Sequence, residues 1–80
     1  MTVRIVFLGP LRDIGGEVER EASAPLDWEG LLAAVGEPIA SHLQDARVRV
    51  ACAGRVLADK TALFAREGDE VALLPPVSGG

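Results

Sequence analysis

The sequence predicts an α+β domain in which a sheet of four to five strands packs against one main helix. Short stretches with period-two alternation of apolar residues, typical of strands, lie on both sides of a stretch with helical spacing. The predicted order is strand, strand, helix, strand, short strand, strand, and runs of strands around one helix are typical of α+β domains. The chain has 80 residues, which is the size of one domain.

The first predicted strand covers Thr2 to Leu8 and is rich in β-branched and aromatic residues. Its residues Val3, Ile5 and Phe7 share one face, which we expect to point into the core. The opposite face carries Val6 and Leu8. Because both faces are apolar, we expect the second face to be partly covered as well.

A polar loop and a second strand are predicted next. Gly9-Pro10 ends the first strand, and Gly15-Gly16 closes a short loop. Glu17 to Ser23 alternates small apolar and charged residues, which indicates a strand at the edge of the sheet. A hairpin between these two strands is the simplest pairing.

The main helix is predicted to begin after Asp27, whose side chain is a candidate N-cap. Gly36 ends it. Ile39 to Gln44 adds a short helical turn. The residues at i, i+3, i+4 and i+7 that form its inward apolar stripe are Trp28, Leu31, Leu32 and Val35.

Three further strands are predicted in the second half of the chain. Arg47 to Ala53 alternates cleanly, and a tight turn at Gly54-Arg55 leads into a short strand, Val56 to Ala58. Asp59 to Arg66 has no clear period. Glu70 to Leu74 is the last strand, with Val71 and Leu73 pointing inward.

Composition excludes several classes of function. The net charge of −4 argues against binding to nucleic acid and to anionic lipid, both of which favour a basic face. One cysteine, Cys52, forms no intrachain disulfide and no zinc site. No apolar stretch approaches the ~20 residues of a membrane helix, and Met1 leads into a strand rather than a signal peptide. We therefore expect a small, soluble, cytoplasmic domain.

The side chains offer little catalytic chemistry. Cys52 falls on the inward face of a predicted strand, where a thiolate is disfavoured, so we interpret it as a core residue. The one histidine, His42, is predicted to be solvated. The glycine-flanked segment from Gly9 to Gly16 lacks the Lys-Ser/Thr of a phosphate-binding loop. The chain is therefore not expected to be an enzyme on its own, to hold a metal or to bind a cofactor tightly.

The C-terminal segment, residues 75–80, has a different character. Pro75 and Pro76 fix φ and keep the chain extended. Six residues can reach ~20 Å at about 3.3 Å per residue. Gly79 and Gly80 carry no side chains, so a terminal carboxylate could enter a narrow channel of another protein. The alternative interpretation is a frayed chain end.

Two stretches resemble the MoaD/ThiS family of ubiquitin-like sulfur carriers, which includes the molybdopterin synthase small subunits. The ending G-D-E-V-A-L-L-P-P-V-S-G-G (Gly68 to Gly80) closely resembles theirs. The opening V-R-I-V-F-L-G-P-L-R-D-I-G-G (Val3 to Gly16) looks like the family's first strand and loop. Thiamine-pathway carriers share the Gly-Gly but usually lack Pro-Pro-Val before it, which favours the molybdopterin branch. The resemblance rests on about a third of the chain.

The resemblance implies a β-grasp domain over residues 1–74, with the first and last strands paired in parallel at the sheet centre, followed by a tail over residues 75–80. It implies that an activating enzyme adenylates the Gly80 carboxylate with ATP and that a sulfur donor converts it to a thiocarboxylate. The tail would then insert into the large synthase subunit, in a complex expected to be a heterotetramer, and give its sulfur to the cyclic pterin precursor. ATP is used by the activating enzyme and is not held here.

The resemblance also implies which residues meet a partner. Leu74, Phe7 and Leu57 could form an apolar docking patch, and the alternative that they are core residues is equally open for Phe7 and Leu57. The other residues that the resemblance places at a partner are Pro75, Pro76, Val77, Ser78 and Gly79. The chain departs from the family pattern at Ala53, where many relatives have Asn, and this leaves the turn type open. It departs again at Leu73-Leu74, where relatives often have aromatic residues.

Three alternatives remain open on sequence grounds. The chain could carry sulfur for thiamine, cysteine or tRNA thiolation, which the acceptor enzyme that co-purifies with it would reveal. It could be a protein modifier joined through Gly80 to target lysines. It could also be a plain interaction module whose tail is dispensable.

Overall fold

Parallel pairing of the first and last strands places both at the centre of the sheet. The computed structural model describes residues 1–76. The strands of the described chain are β1 (Thr2–Phe7), β2 (Glu19–Ser23), β3 (Leu26–Asp27), β4 (Arg49–Cys52), β5 (Arg55–Val56), β6 (Phe64–Ala65) and β7 (Glu70–Leu74). The five-stranded sheet has the order β2-β1-β7-β4-β5. β1 and β7 are parallel, with Phe7 opposite Leu73, whereas the other neighbours in this sheet are antiparallel.

The helices cover one face of this sheet. They are α1 (Pro10–Gly15), α2 (Trp28–Val35) and α3 (Ile39–Leu43), with a 3-10 turn at Lys60–Ala62. α2 is the main helix and contributes Leu31, which is fully buried. The result is the ubiquitin-like β-grasp arrangement, so the predicted α+β class and the central parallel pair are confirmed. Within residues 1–76, no helix combines the length and apolar composition needed to cross a membrane.

Period-two alternation decides which strand residues enter the core. Val3 and Ile5 of β1 have no exposed surface, and neither have Val71 and Leu73 of β7. Val50 of the neighbouring β4 is buried in the same way. Since burying such a side chain contributes about 1.5–3 kcal/mol, these two central strands and β4 hold the domain together. The inward face predicted for each of these strands is confirmed.

The start and end of α2 follow the local sequence. The Asp27 carboxylate accepts a hydrogen bond from the Gly30 N–H at 2.7 Å, which confirms the predicted N-cap. The Gly36 N–H donates to the Leu32 carbonyl at 3.0 Å with φ at 66°, which confirms the predicted end. At the same end Arg20 of β2 donates to the Ala34 carbonyl at 2.5 Å. The edge strand is therefore tied to the helix C-terminus.

Two segments differ from the sequence prediction. The segment from Gly9 to Gly16 is not a loop but contains α1, because Pro10 suits the first helical position and Leu11 is buried beneath the turn. The stretch from Asp59 to Arg66, which has no clear period, contains the 3-10 turn. The side chain of Asp59, the residue before this turn, accepts a hydrogen bond from the Thr61 N–H at 3.0 Å. The same stretch also contains β6, which pairs with β3. The predicted last strand, Glu70 to Leu74, matches β7, and the other four predicted strands are one to three residues longer than the observed ones.

The turn between β4 and β5 is centred on Ala53 and Gly54, one residue before the predicted position. Cys52 lies opposite Arg55, so two residues connect the strands. Their φ angles are 52° and 84°. Two positive φ values are the requirement of a type I′ hairpin turn, whose preferred first residue is Asn. Ala53 is the one residue other than glycine with positive φ among residues 1–76.

Replacing Ala53 by Asn is therefore expected to stabilise the domain by about 0.5–1 kcal/mol, because Asn tolerates the left-handed conformation better than Ala. The midpoint of urea unfolding should rise without a change in slope. Ala58→Asn, at an exposed position with negative φ, is the control and should leave the midpoint within error. An unchanged or lower midpoint for Ala53→Asn would mean that the turn is not of this type.

Candidate functional site

The described part of the predicted site lies where β7 ends. Leu74 is the last residue of β7 and is half-buried, Pro75 is half-buried and Pro76 is exposed. The other predicted tail residues, Val77, Ser78, Gly79 and Gly80, lie outside the described residues. The predicted division into residues 1–74 and 75–80 stays a prediction, although β7 ends at the proposed boundary.

The sheet face that points away from the helices is apolar near the tail. Residues opposite each other in neighbouring strands project to the same face. Val6 lies opposite Ala72, Ala72 opposite Ala51, and Ala51 opposite Val56. We call this surface the outward apolar face; its residues are Val6, Leu8, Ala51, Val56, Ala72 and Leu74. Leu8 is 37% exposed and Val56 58% exposed, while the other four are half-buried.

Charged residues occupy the same face at the end remote from the tail. Arg4 lies 3.8 Å from the Glu19 carboxylate and 3.6 Å from the Glu70 carboxylate. Because these ion pairs are solvent-exposed, they contribute little stability. A charged side chain also borders the apolar residues at the end of the sheet where β1 and β7 stop, because the exposed Arg49 lies opposite Leu74. That end is also where the chain passes into Pro75.

The structure corrects the prediction that Phe7 contacts a partner. Its side chain is 1% exposed and lies among the largest fully buried residues. The physical reason is alternation: Phe7 shares its face with Val3 and Ile5, which point toward the helices. Leu57 is likewise half-buried against the core and is not on the outward apolar face.

Sequence reasoning missed Leu8 and Val56 as surface residues of this site. A signal was present, because Val6 and Leu8 form a second apolar face on the first strand. A single core needs only one such face, so an apolar second face is a candidate surface for contact with a partner. Val56 could not be assigned in this way because β5 has only two residues.

Cys52 is partly buried, and its thiol lies 3.9 Å from the Asp69 carboxylate. Burial and the nearby negative charge raise the pKa of Cys52, so the thiol stays protonated at neutral pH. This agrees with its interpretation as a packing residue. His42 is exposed, as predicted, and its Nδ1 lies 2.9 Å from the Pro38 carbonyl oxygen.

Lys60, the one lysine of the sequence, is held in place by backbone carbonyls. Its ammonium donates to the Asp45 carbonyl at 2.5 Å and to the Val48 carbonyl at 2.9 Å. It also lies 5.9 Å from the centre of the Trp28 ring. Burial lowers the pKa of Lys60, while the Asp45 carboxylate opposes that shift. Lys60 therefore holds the 3-10 turn against the segment that connects α3 with β4.

Over residues 1–76, no group of three or more His, Cys, Asp or Glu side chains could hold a metal ion. The Cys52 thiol is partly buried and the His42 ring is exposed. Within the same residues, the sheet surface carries the outward apolar face, which ends at Leu74, directly before Pro75.

Known proteins similar to this chain share both its sequence pattern and its fold. A model of the ThiS family matches residues 5–80. The crystal structure of SAMP1 from Haloferax volcanii is 25% identical, with a TM-score of 0.72 and 100% coverage of both chains. A chain from the protein–protein complex of subunits 1 and 2 of molybdopterin-converting factor from Helicobacter pylori is 26% identical, with a TM-score of 0.67 and 100% coverage of both chains.

The solution structure of the small archaeal modifier protein 1 from Methanosarcina acetivorans is 21% identical. It has a TM-score of 0.77 over 99% of this chain and 96% of that chain, and this likeness concerns the fold alone. No curated protein matches the sequence.

Proposed function

The chain belongs to the ThiS family, and on that premise we propose that it is the sulfur carrier subunit of a molybdopterin synthase. One observation carries the proposal. The outward apolar face ends at Leu74, directly before the segment that finishes in Gly79-Gly80. A carrier needs both parts, because a partner must hold the domain while its terminus reaches a reaction centre.

The likeness to the Helicobacter pylori complex supports a large-subunit partner. That structure contains subunits 1 and 2 of a molybdopterin-converting factor, and it matches this chain over its full length. On our proposal the large subunit covers the outward apolar face, and residues 75–80 extend into it. A fully extended segment of this length reaches ~20 Å.

The proposed chemistry takes place at the Gly80 carboxylate. A carboxylate is a poor acyl donor because its oxygen is a poor leaving group. Attack of a carboxylate oxygen on the α-phosphorus of ATP releases pyrophosphate and gives an acyl adenylate. A sulfide equivalent then attacks the acyl carbon and expels AMP, which leaves a thiocarboxylate. The thiocarboxylate sulfur finally attacks a carbon of the cyclic pterin precursor and displaces an oxygen leaving group. Water then hydrolyses the resulting thioester, so that the sulfur stays on the pterin and Gly80 returns as a carboxylate.

Each of these steps is assigned to a partner protein. The activating enzyme supplies the ATP site, a separate donor supplies sulfur, and the large subunit binds the pterin. This chain contributes the acyl group, the docking face and the reach of residues 75–80. The proposal also places the protein in the cytoplasm, together with ATP and these partners.

Reconstitution tests the pathway. The thiocarboxylated protein is mixed with the large synthase subunit and the cyclic pterin precursor, and the dithiolene product is measured. We expect product formation and co-purification of the two subunits. If the protein instead co-purifies with a thiazole, cysteine or tRNA-thiolating enzyme and yields no dithiolene, the molybdopterin assignment is wrong.

Val56→Asp is expected to weaken binding of the large subunit by about tenfold or more, because a charge would be buried in the apolar interface. Isothermal titration calorimetry with the purified large subunit measures the effect. Phe64→Asp is a matched control: Phe64 is also 58% exposed, but it lies on β6, away from the outward apolar face. Equal losses for the two variants would contradict the proposed docking face.

A second candidate function is protein modification, and the likeness to SAMP1 favours it. In this case the activated Gly80 would be joined to lysines of target proteins. The same adenylation step serves both functions, and they differ only in the nucleophile that follows. Conjugates of higher mass that require Gly80 would favour modification.

If modification occurs, we expect Lys60 to be a poor acceptor, because its ammonium must first leave two backbone carbonyls. Breaking these bonds should slow its acylation by about tenfold relative to an exposed lysine. Acetic anhydride labelling followed by mass spectrometry compares Lys60 in the folded and the urea-unfolded protein. Rapid labelling of folded Lys60, or abundant conjugates linked through it, would show that the amine is free.

A further inference from the structure

We propose that Gly9 is a positioning residue for the C-terminal segment: it leaves room for Pro75 and so sets the direction in which the chain leaves the sheet. The contact itself is independent of function. Its consequence for Gly80 rests on the proposed function, since direction matters only if the terminus must reach a partner's reaction centre.

The strand register brings the two residues together. β1 and β7 run parallel with Phe7 opposite Leu73. Two residues further along, Gly9 and Pro75 therefore lie where both strands have just ended at the same edge of the sheet. From this point the segment after β1 turns into α1, and the segment after β7 continues toward residue 80.

The turn at Gly9 is held rigidly. The Leu11 N–H donates to the Leu8 carbonyl at 3.2 Å, and the Arg12 N–H donates to the Gly9 carbonyl at 3.0 Å. Gly9 has φ 55° and ψ −137°, the conformation of the first central residue in a type II′ turn. Leu11, 2% exposed, anchors the following helix in the core. The Gly9 backbone therefore offers a fixed surface to its neighbour.

Pro75 packs against this surface at close range. A Cβ atom built on Gly9 would lie 3.1 Å from Cγ and 4.0 Å from Cδ of Pro75. The same construction on Gly16, which also has positive φ, meets nothing within 4 Å. Position 9 thus requires glycine for two reasons: the positive φ of the turn and the space that the Pro75 ring occupies. Position 16 requires glycine only because of its positive φ.

A shift of Pro75 would also move Pro76, the residue that follows it. A proline has a fixed φ, and Pro76 follows directly, so the chain cannot bend freely just after the contact. Delivery of a reacting group is sensitive to position, and a misplacement of about 1 Å can cost about a hundredfold in rate. A rigid support at the base is therefore useful to a carrier.

The test is a double-mutant cycle with Gly9→Ala, Pro75→Ala and the double variant, with Gly16→Ala as the control for backbone strain. The structural measurement is NMR of each variant. The native protein should show a nuclear Overhauser effect between Gly9 Hα and Pro75 Hγ. Gly9→Ala should shift the Leu74 amide signal and Gly16→Ala should not. The shift caused by Gly9→Ala should be smaller in the Pro75→Ala background than in the native one.

The functional measurement is kcat/KM for ATP-dependent activation of Gly80 by the activating enzyme. We expect a fall of about tenfold for Gly9→Ala and less than about twofold for Gly16→Ala. In the double variant the part of the Gly9→Ala effect that comes from the clash with the Pro75 ring should disappear, while the part that comes from the turn remains, so the effects of the two substitutions should not be additive.

Two results would overturn the proposal: absence of the Gly9–Pro75 Overhauser effect, or independent effects of the two substitutions on kcat/KM. Pro75→Ala leaves the turn intact, so it tests the contact even if Gly9→Ala fails to fold. If the native chain is not activated at all, the proposed function fails, while the NMR cycle still decides whether Gly9 positions Pro75.

Discussion

Removal of Gly80 is expected to abolish sulfur transfer while the domain remains folded. The shortened chain still ends in a carboxylate, but that group lies about 3.5 Å short of its former position. Since a misplacement of about 1 Å can cost about a hundredfold in rate, we expect a loss of at least about a thousandfold. Formation of the dithiolene product by the reconstituted synthase measures it.

Appending one alanine after Gly80 is the matched control for this deletion. It moves the carboxylate outward by a similar distance and should also abolish transfer. Thermal unfolding of both variants should match that of the unchanged protein, because chain termini beyond the last strand contribute little stability. Activity above a tenth of the original in either variant would mean that Gly80 is not the reacting residue.

Replacing Phe7 by alanine is expected to destabilise the domain by about 3–5 kcal/mol, because it opens a cavity beneath the two central strands. A domain of 80 residues has a total stability of only about 4–12 kcal/mol, at about 0.05–0.15 kcal/mol per residue. Chemical denaturation should show a large fall in midpoint, and much of the protein could be unfolded at 37 °C.

Phe64→Ala is the control, because the same side chain is removed from a position that is 58% exposed. Its effect should stay within about 0.5 kcal/mol. At temperatures where Phe7→Ala is folded, its affinity for the large subunit should be nearly unchanged. A stable Phe7→Ala variant that binds the large subunit weakly would contradict this account and show that Phe7 belongs to the docking surface.

Elements in which apolar residues recur at a regular spacing over several residues could be predicted from the sequence. The alternation of β1, the stripe of α2 and the cap at Asp27 each have a local cause that the sequence displays. The parallel pairing of β1 with β7 has no such local signal, because it joins segments more than sixty residues apart. It was accessible only through the resemblance of the two chain ends to a known family.

Short elements could not be predicted in the same way. β3 and β6 have two residues each, which is too few to show alternation, and they exist because they pair with one another. α1 is also short, and its Gly and Pro residues are equally typical of a loop. Tertiary contacts, above all the burial of Leu11, decide its conformation.

For the site, the sequence indicated the C-terminal segment but placed the docking surface partly on the wrong face. The alternation of β1 already grouped Phe7 with Val3 and Ile5, which are fully buried. The neighbouring residues Val6 and Leu8 instead reach the outward apolar face. Since both faces of this strand are apolar, only the position of the helices shows which one remains free.

Mass spectrometry of the C-terminal tryptic peptide, Glu67 to Gly80, tests the central claim most directly. The protein is incubated with ATP, an activating enzyme and a sulfide source before digestion. The peptide lacks Met, Cys and Trp, so oxidation of those residues cannot imitate the exchange of oxygen for sulfur. We predict the mass gain of one such exchange, located at Gly80. A Gly80 that remains a plain carboxylate with a competent activating enzyme would contradict the assignment as a sulfur carrier.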